Sequence, residues 1–126
     1  MAPTEWTVDD HLAGQPASSV ALYRRFIEMV EACGPFSYAV SKSTITLKGT
    51  RRGFAGGKPT GRGLAAYLDL QRVVTDPRII SSAPYTNRLF VHQIRITSAD
   101  QLDEEFMGWV REAYAVGQGA HMAGPA

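Results

Sequence analysis

Residues 88–117 read RLFVHQIRITSADQLDEEFMGWVREAYAVG. The first nine alternate between two faces, which predicts a β-strand. One face of this strand carries Phe90, His92, Ile94 and Ile96. Ser98 and Gln101 have the spacing of a capping box, which predicts that Ser98 begins a long helix. Its buried stripe consists of apolar residues at helical spacing, namely Leu102, Phe106, Trp109, Val110, Ala113 and Tyr114. The C-terminal part of the chain therefore supplies a strand and a helix with an apolar face to bury.

The N-terminal part is also predicted to be helical. Thr7 and Asp10 have the spacing of a weaker capping box, which predicts a short helix there. A second helix is predicted to begin at Ser18 or Ser19, because apolar residues then recur every three or four positions. It is predicted to end at Gly34, since glycine is common just after a helix. The chain is thus expected to have one long helix near each end.

The middle of the chain is rich in β-branched and aromatic residues, which favour strands. The predicted strands cover residues 36–40, 44–48, 53–55 and 64–70. Between the last two of these, residues 56–63 are rich in glycine and contain Pro59, which predicts a loop. Residues 81–84, SSAP, predict an irregular connection to the strand at 88–96.

This order of elements predicts an α+β fold. Strands joined by short connections are usually antiparallel, and two amphipathic helices can cover one face of such a sheet. We therefore predict an antiparallel sheet of about four to five strands with the N-terminal and C-terminal long helices packed on one face. The predicted organisation is a short helix or turn and linker at 1–17, one domain at 18–117 and a flexible tail at 118–126.

Composition indicates a globular, cytoplasmic domain. Of 126 residues, 44% are hydrophobic and 20% are charged, and a chain of this kind needs no disulfide or metal to fold. Cys33 is the single cysteine, so no internal disulfide framework of a secreted protein is possible. No apolar run approaches the roughly 20 residues that cross a bilayer, and neither a secretory signal nor a membrane partner is predicted.

Three stretches resemble a bacterial family defined only as a domain of unknown function, number 5655. They are residues 85–96 (YTNRLFVHQIRI), 98–105 (SADQLDEE) and 108–114 (GWVREAY). The resemblance extends over most of residues 18–116. It implies the same α+β fold and an accessory or binding role, and it supplies no catalytic residues.

Charge is distributed unevenly along the chain. The net charge of +1 combines +8 in residues 42–95 with −3 before and −4 after that stretch. The sheet face or rim away from the helices is therefore predicted to be basic. The residues predicted to bind a ligand on this surface are Arg52, Tyr67, Tyr85, Arg88, His92 and Arg95. We expect the ligand to be a small anion or an acidic protein segment.

Two features have competing interpretations. His92 is either an acid–base catalyst, the only catalytic candidate, or a hydrogen-bonded core histidine, and the second is more common. The loop at 53–63 resembles a phosphate loop, but Gly57-Lys58 is followed by Pro59 and then by a strand. A hairpin loop is the simpler interpretation. No spacing of His, Cys or acids completes a metal site, and no cofactor is predicted.

Three functions remain open from these observations. The first is a non-catalytic binding module for a small anionic ligand or acidic partner. The second is a nucleic-acid-associated accessory domain, which the sequence pI of about 7.9 makes less favoured. The third is an enzyme that uses His92 as an acid or base. A homodimer is possible in each case.

Overall fold

A computed structural model describes residues 6–85 and 88–120. The helices are α1 (Val8–Leu12), α2 (Ala17–Glu31) and α3 (Glu104–Gly117), with a 3-10 turn at Ala99–Gln101. The strands are β1 (Ser37–Val40), β2 (Ile45–Lys48), β3 (Gly53–Thr60), β4 (Gly63–Leu70), β5 (Ile79–Pro84) and β6 (Phe90–Ile96). None of the helices within these residues is long and apolar enough to cross a membrane.

The six strands form one sheet in the order β1-β2-β3-β4-β6-β5, and every neighbouring pair is antiparallel. Helices α2 and α3 pack on β3 and β4 and on each other. The core between them contains large side chains from both layers, including Phe26, Leu47, Leu68, Ile94 and Phe106. The α+β prediction is confirmed, with six strands where four to five were expected.

The predicted loop at 56–63 is wrong. Residues up to Thr60 continue β3, Gly63 begins β4, and only two residues turn the chain between them. Glycine weakens a strand by itself, but β3 lies between β2 and β4 and is paired on both sides. The glycines also make room for neighbours, since a Cβ on Gly57 would come within 3.2 Å of the Phe26 ring.

The predicted irregular connection at 81–84 is also wrong, because these residues belong to β5. This strand lies at the edge of the sheet, pairs only with β6 and is largely exposed. An edge strand with no face buried in the core needs no apolar alternation. The sequence pattern that reveals buried strands was therefore absent here.

Both long helices begin differently from the prediction. The capping box of Ser98 and Gln101 exists, but it closes the 3-10 turn, and α3 is capped by the Asp103 side chain, which accepts from the Phe106 N–H. Helix α2 begins one residue after Pro16, and Ser19 is buried within it. The predicted capping box of the short helix α1 is confirmed.

Residues on either side of the predicted domain at 18–117 are held in contact with it. His11 of α1 is buried, and its Nε2 lies 2.7 Å from the Ser41 carbonyl oxygen. Gln118, just after α3, accepts a hydrogen bond from the Thr50 N–H at 2.8 Å. Residues 1–5 of the predicted N-terminal segment and 121–126 of the predicted tail lie outside the described residues.

Arg78 joins the start of β5 to the start of α3. It is 8% exposed, and its guanidinium donates to Asp76 at 2.8 and 3.1 Å, to Asp103 at 2.8 Å and to Glu105 at 2.7 Å. Its Cζ also lies 4.7 Å from the centroid of the Trp109 ring. This network holds the edge strand and helix α3 together at one end of the sheet.

Candidate functional site

A cavity of about 650 Å³ lies on the sheet face opposite α2 and α3, here called the outer face. Successive side chains of a strand point to opposite faces of the sheet, so the residues next to the buried core residues in the sequence point to this outer face. The polar and aromatic residues that line the cavity are Thr46, Arg52, Tyr67, Asp69, Tyr85 and Gln93. They come from β2, from the segment before β3, from β4 and β6, and from the residue that follows β5.

A β-bulge creates the hollow. Leu47 pairs with Ala55, but the next residue, Lys48, pairs with Gly53, so Phe54 is the extra residue. Phe54 is fully buried, and its ring packs edge-on against Tyr114 with centroids 5.5 Å apart. Because bulges redirect side chains, the outer face loses a phenyl ring at this point and keeps only Gly53. The space beside β4 is thereby left open.

Arg52 enters this space and is held by three contacts. Its Nη2 donates to Asp69 Oδ2 at 3.1 Å, and its Nε donates to the Gly53 carbonyl oxygen at 2.9 Å. Its Cζ lies 5.3 Å from the centroid of the Tyr85 ring. A guanidinium has five N–H bonds, and these contacts use two. No other residue among 6–85 and 88–120 accepts a hydrogen bond from the Arg52 side chain.

Asp69 is the buried acid of the cavity. It is 4% exposed and lies near the end of the central strand β4. Burial raises the pKa of Asp69 from its usual 3.8 to about 6, although the charge and hydrogen bond of Arg52 act in the opposite direction. Desolvation thus outweighs the ion pair. A carboxyl group in a cavity with a pKa this close to neutrality is typical of functional sites.

Tyr67 forms the wall on the other side. Its hydroxyl oxygen lies 3.0 Å from Thr46 Oγ1, so the ring spans β3 to reach β2. This is possible because Gly56 lies beneath the ring, and a Cβ there would overlap it. Burial raises the pKa of Tyr67, and the nearby Asp69 and Tyr85 add to this effect. The hydroxyl therefore remains protonated and able to donate at physiological pH.

The structure brings together three of the six predicted site residues: Arg52, Tyr67 and Tyr85. Arg95 is exposed and, by alternation from Gln93, lies on the outer face, but it does not line the cavity. Arg88 is exposed in the turn before β6 with a positive φ of 59°. Neither arginine forms part of the cavity wall.

His92 lies on the inner face and is fully buried. Its Nε2 accepts from the Val74 N–H at 3.0 Å, and its Nδ1 lies 2.9 Å from the Phe90 carbonyl oxygen, to which it donates. Both ring nitrogens are therefore occupied by backbone groups of the protein. This geometry corresponds to the hydrogen-bonded core interpretation, and we do not include His92 in the site.

Asp69 was missed by sequence reasoning, although a signal existed. Residues 64–70 alternate between two faces, and this alternation places Asp69 on the outward side with Tyr67. An acid is unfavourable in a central strand, so the presence of Asp69 there indicates that a cationic or hydrogen-bonding side chain lies next to it in the fold. The partner Arg52 is seventeen positions away, and only the fold shows that the two meet.

The outer face around the cavity is basic. Lys48, Lys58 and Arg95 occupy outward positions on β2, β3 and β6. The Lys58 ammonium donates to the Ser43 carbonyl oxygen at 2.8 Å. Neither Lys48 nor Arg95 forms an ion pair with any acid that the structure describes. Within the same residues, no three His, Cys, Asp or Glu side chains are grouped to hold a metal ion.

Comparison with known proteins places the domain in a family. No curated protein and no solved structure matches the chain. The profile of a family described as a domain of unknown function, DUF5655, matches residues 8–117. This range begins with the first residue of α1 and ends with the last residue of α3. The chain therefore belongs to the DUF5655 family, as the resemblance in its last strand and helix predicted.

Proposed function

We propose that this domain is a non-catalytic binding module that holds a small organic anion in the outer-face cavity, with Arg52 as the anchor. The observation that carries this proposal is that the Arg52 guanidinium is held in place and still has N–H bonds available for a ligand. Its position is set by Asp69, Gly53 and Tyr85, while three of its N–H bonds have no acceptor among the described residues. A guanidinium held in place in this way binds carboxylate or phosphate oxygens with little loss of side-chain entropy.

The charge around the cavity supports an anion. Lys48, Lys58 and Arg95 occupy outward positions on the same sheet face as the cavity, and the buried acid that lines the cavity is already paired with Arg52. Cations around a partly enclosed hollow raise the local concentration of anions and their rate of association. The surface thus attracts an anion, and Arg52 provides the directional contact.

The size and walls of the cavity support a small ligand with a flat body. Ligand pockets usually enclose roughly 300–1,000 Å³, and this cavity measures about 650 Å³. The rings of Tyr67 and Tyr85 and the side chain of Val91 offer apolar surface, while Thr46 and Gln93 offer hydrogen bonds. A hollow of this kind suits a compact molecule better than an extended acidic protein segment or a nucleic-acid strand.

The test uses benzoate and phenyl phosphate as planar anions, with benzamide as the neutral counterpart, and measures binding by calorimetry and by amide chemical shifts. We expect both anions to bind, benzamide to bind at least tenfold more weakly, and shifts to centre on Tyr67 and Asp69. Arg52→Lys keeps the charge but loses the guanidinium fork, so it should weaken binding at least tenfold.

Arg95→Lys is the matched control, since Arg95 lies on the same face outside the cavity. It should change the affinity less than twofold. Both variants keep their positive charge. If Arg52→Lys weakened binding no more than Arg95→Lys does, the anions would be responding to the charge of the face and not to a site. Salt-sensitive binding of an oligonucleotide, with no binding of either planar anion, would favour the nucleic-acid function instead.

A further inference from the structure

In the cavity, the buried Asp69 pairs with Arg52, the cation that anchors the ligand in the proposed function. The following inference rests on that function. We propose that the site binds its anion together with one proton, which Asp69 takes up, so that the ligand replaces the charge of Asp69 beside Arg52. The site would then hold an anion in mildly acidic conditions and release it as the pH rises.

The bound anion and the Asp69 carboxylate would lie close together. Asp69 Oδ2 lies 3.1 Å from Arg52 Nη2. An anion hydrogen-bonded to the remaining N–H bonds of the same guanidinium lies within a few ångströms of the Asp69 carboxylate. Two carboxylates that share such a site cannot both remain ionised without a large cost, and the pKa of one of them is strongly raised.

Few charged groups face Asp69. The segment before β3 contributes Arg52, β4 contributes Tyr67, and Tyr85 follows directly after β5. The cavity is also lined by Val91 and Gln93 of β6 and by Thr46 of β2. These three side chains are uncharged. Lys48 on β2 is exposed, so water screens its charge. Among the described cavity residues, Arg52 alone is positive, and it cannot neutralise two anions.

Asp69 has a raised proton affinity even before an anion binds. Burial already raises the pKa of Asp69 to about 6. A bound anion raises it further, so proton uptake on binding takes place around neutral pH. By reciprocal linkage, the affinity for the anion falls as the pH rises above 6, by up to tenfold for each pH unit.

The experiment measures benzoate binding by titration calorimetry between pH 5.5 and 8.0, a range in which benzoate stays ionised. At pH 7 the titration is repeated in two buffers of different ionisation enthalpy, which counts the protons taken up. For the wild-type protein we expect at least tenfold tighter binding at pH 5.5 than at pH 8.0 and uptake of close to one proton.

Asp69→Asn should abolish both effects, with an affinity at pH 8.0 as tight as that of the wild type at pH 5.5. Wild-type binding without proton uptake and without pH dependence would overturn the inference and leave the proposed function standing. The same slope in Asp69→Asn would also overturn it. If neither protein binds benzoate at any pH, the proposed function fails, and the inference fails with it. The number of protons that the wild-type protein takes up on binding benzoate tests the inference even if the variant folds poorly.

Discussion

Asp69→Asn should make the folded domain more stable at neutral pH. Asp69 is 4% exposed, and its pKa in the folded state is about 6 instead of 3.8. Since one pKa unit is worth about 1.4 kcal/mol, ionised Asp69 costs the native state about 3 kcal/mol relative to its protonated form. Asparagine is nearly isosteric with the protonated acid, and its carbonyl oxygen can still accept from Arg52. The variant therefore removes most of this cost.

The expected gain depends on pH with a definite sign. Because the pKa of Asp69 is raised in the folded state, its stabilising contribution is complete below pH 3.8 and is lost as the pH rises through 6. The linkage relation then predicts that Asp69→Asn exceeds the wild type by about 3 kcal/mol at pH 7.5 and by about 1 kcal/mol at pH 4.5. Other acids titrate in this range too, but they cancel in the difference between the two proteins.

The assay is urea denaturation of both proteins at these two pH values, followed by circular dichroism. Asp100→Asn is the matched control, since Asp100 is exposed and the change in net charge is the same. It should alter the free energy of unfolding by less than about 0.5 kcal/mol. An Asp69→Asn protein that is less stable than the wild type at pH 7.5 would refute the reasoning, because the ion pair with Arg52 would then outweigh the cost of burial.

Two further predictions concern stability away from the cavity. Arg78→Ala removes a buried guanidinium that donates to Asp76, Asp103 and Glu105. Because Asp103 and Glu105 are exposed and water solvates them in the variant, we expect a loss of about 2–3 kcal/mol in the free energy of unfolding by urea denaturation; a loss below about 1 kcal/mol would contradict this structural role. Tyr23→Phe removes a buried hydroxyl that has no hydrogen-bond partner among the described residues, so thermal unfolding should show an unchanged or raised midpoint; a marked drop in that midpoint would show that the hydroxyl has a partner.

The candidate site was predictable only in part. Arg52, Tyr67 and Tyr85 were selected for charge and aromatic character, and the structure places all three at the cavity. His92 was selected for its chemistry, yet its strand position already placed it with Ile94 on the apolar face, and the structure buries it there. The more informative residue was Asp69, a charge within a strand that is otherwise apolar on both sides of it.

By itself, the amino-acid sequence determined the long helix near each end of the chain, the strands β1, β2, β4 and β6, and the α+β class, because a regular apolar pattern or a run of β-branched and aromatic residues marks each of these elements locally. The tertiary structure alone decided the rest. The glycine-rich segment forms strand β3 because β2 and β4 pair with it on both sides. The rings of Phe26 and Tyr67 occupy the space that glycine side chains leave free. The cavity exists because a bulge turns Phe54 inward and lets Arg52 reach Asp69, and a contact across seventeen residues leaves no local pattern in the chain.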